Sequence, residues 1–256
     1  MADKSAIEWT DATWNPVTGC TEVSPGCDHC YARTFAERFR GVKGHPYEQG
    51  FDLRLWPERL KLPLKWAKPR RIFVNSMSDL FHKDIPDSYI EQIFAVMNEA
   101  DRHIFQVLTK RSARLARLAP RLTWSSNIWV GVSVETIQYK WRVDHLRQVP
   151  AHVRFISAEP LLGSLVDLDL TGIDWLIVGG ESGPSHRLCD PSWVRELREK
   201  SNQYGTAFFF KQWGGRSPKS GGRELDGRVW NDYPGSDTQR LAEGLFGRKE
   251  QLTVVV

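Results

Sequence analysis

Cys20, Cys27 and Cys30 lie within eleven consecutive positions and are the residues of this chain best suited to chemistry. Cys27 and Cys30 form a C-x2-C pair, which brings two thiolates to one metal centre, and Cys20 precedes the pair by six intervening residues. Gly19 and the Pro25-Gly26 step suit a loop that folds back so that three sulfurs converge. A helix is expected directly after the loop, over residues 31–39, where its dipole and free N–H groups favour anionic thiolates.

On the residues alone, three readings stay open. A structural zinc site wants four ligands, the fourth being His29, His45 or Cys189. Yet no second C-x2-C and no H-x3-H accompanies the pair, and His29 lies between two ligands, where simultaneous binding is strained. Buried free thiols are a second reading, although Gly and Pro around them make poor core material. A cubane iron–sulfur cluster held by three cysteines is the third, and it leaves one iron open to an external chelating ligand.

Regular elements must position these side chains. Short, nearly continuous apolar runs at 71–75, 103–108, 128–132, 153–157, 175–178 and 207–211 read as strands buried on both faces of a parallel sheet. Helical patterns at 88–100, 111–118, 137–148 and 192–204 fall between them. Alternation of this kind predicts an α/β protein with a partial or full (β/α) barrel, or a doubly wound sheet. No internal repeat is visible.

In a parallel barrel the functional face lies at the carboxyl ends of the strands. The residues there are Ser76, Ser78 and Asp79 after the first run, Lys110 after the second, and Ser133 and Glu135 after the third. Ser157 and Glu159 follow the fourth run, Glu181 the fifth, and Lys211 closes the sixth. Glu135, Glu159 and Glu181 are therefore expected to line one pocket, since converging carboxylates and ammonium groups must pair or bind a polar ligand. Lys110, Lys211, Glu135 and Glu159 are the candidates for general acid or hydrogen-bonding roles. The Gly179-Gly180-Glu181-Ser182-Gly183 loop lets backbone amides approach a ligand, but it lacks the spacing of a dinucleotide or triphosphate fingerprint.

The composition, 41% hydrophobic and 26% charged over 256 residues, is that of a folded globular chain. No apolar run spans a membrane, no secretory signal is visible, and the crowded cysteines do not suggest a disulfide framework, so a reducing cytosol is expected. Charge is uneven: residues 33–71 hold eleven Lys/Arg against four Asp/Glu, and residues 102–134 hold six basic residues and no acidic one. Basic blocks with interleaved aromatics can follow a phosphate backbone, so nucleic acid is a candidate partner; solvated helix faces are the plainer account. Residues 213–227 read as an exposed Gly/Ser/Lys loop, 228–233 as one short strand, and the segment beyond Gly235 as a helix and a loose terminus, with an edge strand at 252–256 as the alternative. The expected division is a barrel over residues 1–215 and a loop-rich extension over 216–256.

The cysteine loop resembles that of the radical S-adenosylmethionine superfamily, which carries three cysteines after the first strand of a partial (β/α) barrel. The usual spacing there is C-x3-C-x2-C with an aromatic residue before the last cysteine, whereas this chain has C-x6-C-x2-C with His29 in that place. The chain is also similar to a phage- and prophage-associated three-cysteine family of unknown function. That likeness rests on W-N-P-x-x-G-C, S-x-G-C-x-x-C-Y-A, NSMSDLF at 75–81, SAEPL at 157–161, GGESG at 179–183 and FKQWG at 210–214. The resemblance implies that Cys20, Cys27 and Cys30 hold a [4Fe–4S] cluster whose open iron chelates S-adenosylmethionine. The Gly-Gly-Glu that follows the second strand in many such enzymes is replaced here by Asn75-Ser76-Met77-Ser78-Asp79, so Ser76, Ser78 or Asp79 would take its place.

These readings lead to a radical-SAM-like enzyme with a pocket built from Ser76, Asp79, Ser133, Glu135, Ser157, Glu159 and Glu181, acting on a nucleic acid or nucleotide. The alternative is a nucleic-acid-binding protein with a structural zinc or inert iron–sulfur site. A catalytically silent barrel serving a phage-encoded partner is a third option. Cys189 has no assigned role.

Overall fold

The computed structural model describes residues 5–217 and 219–235, so the helix and the alternative edge strand expected beyond Gly235 lie outside the described residues. In chain order the strands are β1 (Ala12–Trp14), β2 (Val17–Thr18), β3 (Arg54–Leu55), β4 (Arg71–Val74), β5 (Ile104–Thr109) and β6 (Ile128–Ser133). They continue with β7 (Val153–Ala158), β8 (Trp175–Gly179), β9 (Ala207–Gln212), β10 (Glu224–Leu225) and β11 (Arg228–Val229). The helices are α1 (Tyr31–Glu37), α2 (Asp87–Glu99), α3 (Ser112–Leu118), α4 (Trp141–Arg147) and α5 (Pro191–Tyr204).

One sheet organises the chain. Its order is β1-β4-β5-β6-β7-β8-β9, and every neighbouring pair is parallel. A doubly wound sheet reverses its strand order at a switch point, whereas this order only advances. The sheet therefore curls as a barrel does, but β1 and β9 remain its two edges, so the barrel is partial rather than full. The six apolar runs are strands as expected. The seventh strand, β1, is three residues long and carries no apolar run of its own; it exists through its pairing of Ala12 with Ile72 and Trp14 with Val74.

Helices cover the outer face. On α2 the stripe Ile90, Ile93, Phe94 and Met97 is buried, as its helical spacing requires. Asp190 caps α5 by accepting the Ser192 amide at 2.8 Å, and Gly205 ends it at φ 65°, a left-handed position suited to glycine. The helix expected at 137–148 is a short turn, Ile137–Tyr139, followed by α4. Between β7 and β8 the covering element is a loop instead, which buries Leu161, Leu165, Leu168 and Leu170.

The inner face of the half-barrel is filled by Trp9, Phe73, Trp129, Phe155, Trp175 and Phe209. Burying each such side chain contributes on the order of 1.5–3 kcal/mol. Trp9, from the segment before β1, packs 4.7 Å from Phe73 and edge-on to Trp175, so the amino-terminal segment contributes to the filling of the concave face. The stretch after residue 215 also packs on the sheet: Leu225 is buried, and Phe210 N–H donates to Trp230. The loop expected to be exposed is thus partly drawn in, because Trp213 donates to the Glu224 carbonyl at 2.8 Å.

Candidate functional site

Strand alternation builds the site. Side chains two residues apart on a strand share a face. Phe73, Phe155 and Phe209 fill the inner core, so Asn75, Ser157 and Lys211 face the same side one step nearer the carboxyl ends; Trp129 similarly leads through Gly131 to Ser133. These residues line a cavity of about 480 Å³ at the carboxyl end of the half-barrel, with Trp9, Phe73 and Leu108 also in its wall.

The same cavity is lined by Cys20, Cys27 and Cys30, and also by Ser76, Ser78, Asp79, Lys110, Glu159 and Glu181. Of the expected pocket residues only Glu135 is absent from the wall. It is fully buried behind it, bonded to Lys110 Nζ at 2.6 Å, Arg142 Nη1 at 2.9 Å and Ser24 Oγ at 2.8 Å. Burial works to raise the Glu135 carboxyl, but Lys110, then Arg142, outweigh it and hold it below the usual range. The expectation that three strand-end glutamates line one pocket is corrected on this point. Glu135 is spent on a buried ion cluster, because a charge with no access to water must find partners.

Glu181 reaches the cavity wall, yet its carboxylate is engaged. It receives the Arg187 amide and Nε at 2.9 Å each, Arg187 Nη2 at 2.5 Å and the His29 ring nitrogen Nδ1 at 3.0 Å. Burial acts to raise this carboxyl too, but the bonds from Arg187 and His29 bring it down to about 2. Glu159 is different. It pairs with Lys211 across β7 and β9, and both side chains face the cavity. Ser133 and Ser157 lie on the wall between these ion pairs.

The Asn75–Asp79 turn is held by its own bonds. Asp79 accepts from Thr109 Oγ1 at 2.7 Å, from the Lys110 amide at 3.0 Å and from Arg111 Nη1 at 3.3 Å. Ser76 bonds Asn15, and Ser78 Oγ donates to the Val17 carbonyl at 3.1 Å. Asn75 adopts φ 59° and accepts the Val17 amide.

The three cysteines are free thiols on this wall. A tight turn, Pro25–Cys27, opens the second half of the loop, with the Cys27 amide donating to the Ser24 carbonyl at 2.9 Å and the Cys30 amide to the Cys27 carbonyl at 3.2 Å. The helix expected at 31–39 is α1, two residues shorter. Cys20 is held apart from that turn: its amide donates to the Phe51 carbonyl, and Arg111 Nη1 approaches its sulfur at 3.6 Å. Burial pushes the Cys20 thiol up to about 11, helped by Asp79 and opposed by Arg111.

Among the described residues no group of three or more His, Cys, Asp or Glu side chains is arranged to hold a single metal ion. The candidate fourth ligands of a zinc site are otherwise engaged or set back. His29 bonds Glu181, His45 stacks on Phe39 at 3.8 Å, and Cys189 packs behind Gly180, where burial raises its thiol to about 11. Three thiols sharing one cavity wall suit a cluster instead, because a cubane distributes its ligands over separate irons and needs only three from the protein.

The basic segments divide. In 102–134, Arg102 donates to the Trp66 and Leu64 carbonyls, Lys110 pairs with Glu135, and Arg111 with Asp79. Arg114, Arg117 and Arg121 all converge on Asp87. The acidic partners, Glu135, Asp79, Asp87 and Glu91, all come from outside the segment. Sequence reading did not find Arg187 or Trp9 as parts of the site, since nothing in their local spacing marks them.

A model of the DUF5131 family, described as a protein of unknown function, matches residues 4–234. No curated protein matches the sequence. Among solved structures the chain is similar to a spore photoproduct lyase double mutant with bound AdoMet and dinucleoside spore photoproduct, at a TM-score of 0.54 and 13% identity, over 78% of this chain and 76% of that one. A spore photoproduct lyase complexed with dinucleoside spore photoproduct aligns at a TM-score of 0.45 and 14% identity, over 90% and 71% of the two chains. At such identity the likeness concerns the fold, which is the radical-SAM-like α/β partial barrel.

Proposed function

The chain belongs to the DUF5131 family, and on the geometry of its cavity we propose that it is an iron–sulfur enzyme of the radical S-adenosylmethionine type. The observation that carries this reading is the shared wall: Cys20, Cys27 and Cys30 border the same cavity as the Lys211–Glu159 pair. In this reading the three cysteines hold a [4Fe–4S] cluster, and the Asn75–Asp79 turn borders bound S-adenosylmethionine. When bound and reduced by an external donor, such a cluster would supply one electron for reductive cleavage of the sulfonium, giving a radical able to take hydrogen from a substrate.

The chain's own residues have distinct tasks. Trp9, Phe73 and Leu108 form an apolar wall that excludes water from the reacting region. Lys211 Nζ donates a hydrogen bond or a proton to a polar substrate atom, and Glu159 keeps that ammonium oriented and charged. Ser133 and Ser157 offer hydroxyls between the ion pairs. Lys110, one of the catalytic candidates, serves Glu135 instead.

A nucleotide or nucleic acid is the substrate class we favour. Support comes from α1 and the basic segment 33–71. Tyr31, whose hydroxyl donates to the Ser76 carbonyl at the cavity, and Phe35 keep exposed ring surface on α1. Arg38 and Lys43 are exposed within the next few residues, so aromatic and basic groups are there to stack on bases and follow phosphates. The dinucleoside spore photoproduct bound by the solved relative of similar fold points the same way.

Anaerobic reconstitution tests the reading. Protein that takes up about four irons per chain and, once reduced, converts S-adenosylmethionine to 5′-deoxyadenosine supports it. A colourless, zinc-loaded protein with neither property overturns it.

A further inference from the structure

Two of the three strand-end glutamates are bonded to the cysteine loop. Glu135, after β6, bonds Ser24 Oγ at 2.8 Å, and the backbone of Gly26 rests against its carboxylate so closely that a Cβ there would stand 2.5 Å from Oε1. Glu181, after β8, bonds His29 at 3.0 Å and Arg187 through several bonds. Arg187 then reaches back to the loop, donating to the Pro25 carbonyl at 2.9 Å and to Asp28 at 3.1 Å. Residues 24, 25, 26, 28 and 29 are thus tied to the ends of two strands, and Cys27 and Cys30 are the loop's sulfur-bearing positions between and beside those ties.

We propose that Glu135 and Glu181 are positioning residues, a two-point clamp that holds the Cys27–Cys30 turn on the cavity wall it shares with Cys20 before any cluster is present. The proposal rests on the cysteine reading above and goes beyond it in saying what pre-organises the ligands. Neither anchor is a flexible surface pair. Glu135 is fully buried between Lys110 and Arg142, which hold its two oxygens in place. Charge-assisted bonds between a carboxylate and a guanidinium are short and directional, so the Glu181–Arg187 arm fixes orientation as well as distance. Second supports of this kind set how readily ligands meet a metal centre. Cys20 has a separate support: Arg111 donates to the Thr21 carbonyl at 3.0 Å and to its hydroxyl at 2.8 Å. The clamp therefore acts on two cysteines and not on the third.

The experiment uses the full chain free of metal, comparing wild type with Glu181→Ala, Arg187→Ala, Arg187→Lys and Glu135→Gln. Amide hydrogen exchange over residues 24–30 and iodoacetamide labelling of each cysteine are the readouts. In Glu181→Ala and Arg187→Ala, loop exchange and labelling of Cys27 and Cys30 should rise about tenfold or more, as expected when charge-assisted bonds are lost, with Cys20 unchanged. Arg187→Lys should restore part of the protection. On reconstitution, iron should dissociate faster from the Ala variants, with an altered paramagnetic signature of the reduced cluster. Should Glu135→Gln fail to fold, the two arms at Glu181 and Arg187 decide alone. Loop exchange and labelling unchanged in both Ala variants overturn the clamp, even where wild type loads iron normally. A wild type that takes up no iron overturns the cluster reading instead and leaves the metal-free result standing.

Discussion

Gly26 lies directly over the Glu135 carboxylate, with room for no side chain: a Cβ would sit 2.5 Å from Oε1 and 2.6 Å from Cγ. Glu135 cannot retreat, since Lys110 and Arg142 hold its two oxygens from other sides. Gly26→Ala should therefore push the loop off its seat. We expect a loss of about 1–3 kcal/mol in urea unfolding, with a larger fractional loss of reconstituted iron than of stability. A variant with wild-type iron content and unfolding midpoint would contradict this packing.

Single Cys→Ser changes at positions 20, 27 and 30 should each reduce reconstituted iron to well below about four per chain. Cys189→Ser should leave it unchanged, because Cys189 packs behind Gly180 and does not border the cavity. Iron and sulfide assays separate the two outcomes. Loss of metal in Cys189→Ser would instead make it a fourth ligand and favour zinc.

Lys211→Met should keep full iron loading, since Lys211 bonds Glu159 and not the cysteine loop. It should lower stability by about 1.5–3 kcal/mol through the carboxylate left without its partner. Most of that loss should return in Lys211→Met with Glu159→Gln, where no charge remains to be paired. Denaturant melts of the single and double variants test this, and coupled turnover should fall by about 10²-fold or more in both.

Burial depresses the imidazole of His103 below its ordinary value of 6.5, with Arg102 and Arg70 adding to the effect and a bond to the Pro63 carbonyl opposing it. The folded protein thus binds this proton less readily than the unfolded chain. The stability it contributes is complete above pH 6.5 and is lost as pH falls through the depressed folded value. Thermal midpoints measured downward from neutral pH should decline, and His103→Gln should flatten that decline. An identical slope in the variant would show that another group, such as the similarly depressed His82, carries the effect.

Much of the architecture was legible in one dimension. Strands buried on both faces show as continuous apolar runs, so six of the seven barrel strands could be read from 71–75 to 207–211 without any contact information. β1 could not, because three residues supply no periodicity and their conformation comes from pairing with β4. Barrel against doubly wound sheet was likewise open, since both alternate strand and helix and only strand order separates them.

The site shows the same division. Residue type and spacing by themselves marked Cys20, Cys27 and Cys30 and the polar positions after each strand, and all of these except Glu135 border one cavity. What they face was decided by the tertiary structure alone. Glu135, Glu159 and Glu181 each follow a strand end by one or two residues, yet one is buried behind the wall, one faces the cavity with Lys211, and one clamps the cysteine loop through Arg187. The physical reason is that a carboxylate's role is set by which cations surround it. Lys211 reaches Glu159 from 52 residues away through the sheet, whereas Arg142 and Arg187 fold back from the connections that follow their own glutamates, 7 and 6 residues on. Local sequence can announce a charge, but its partner depends on the fold.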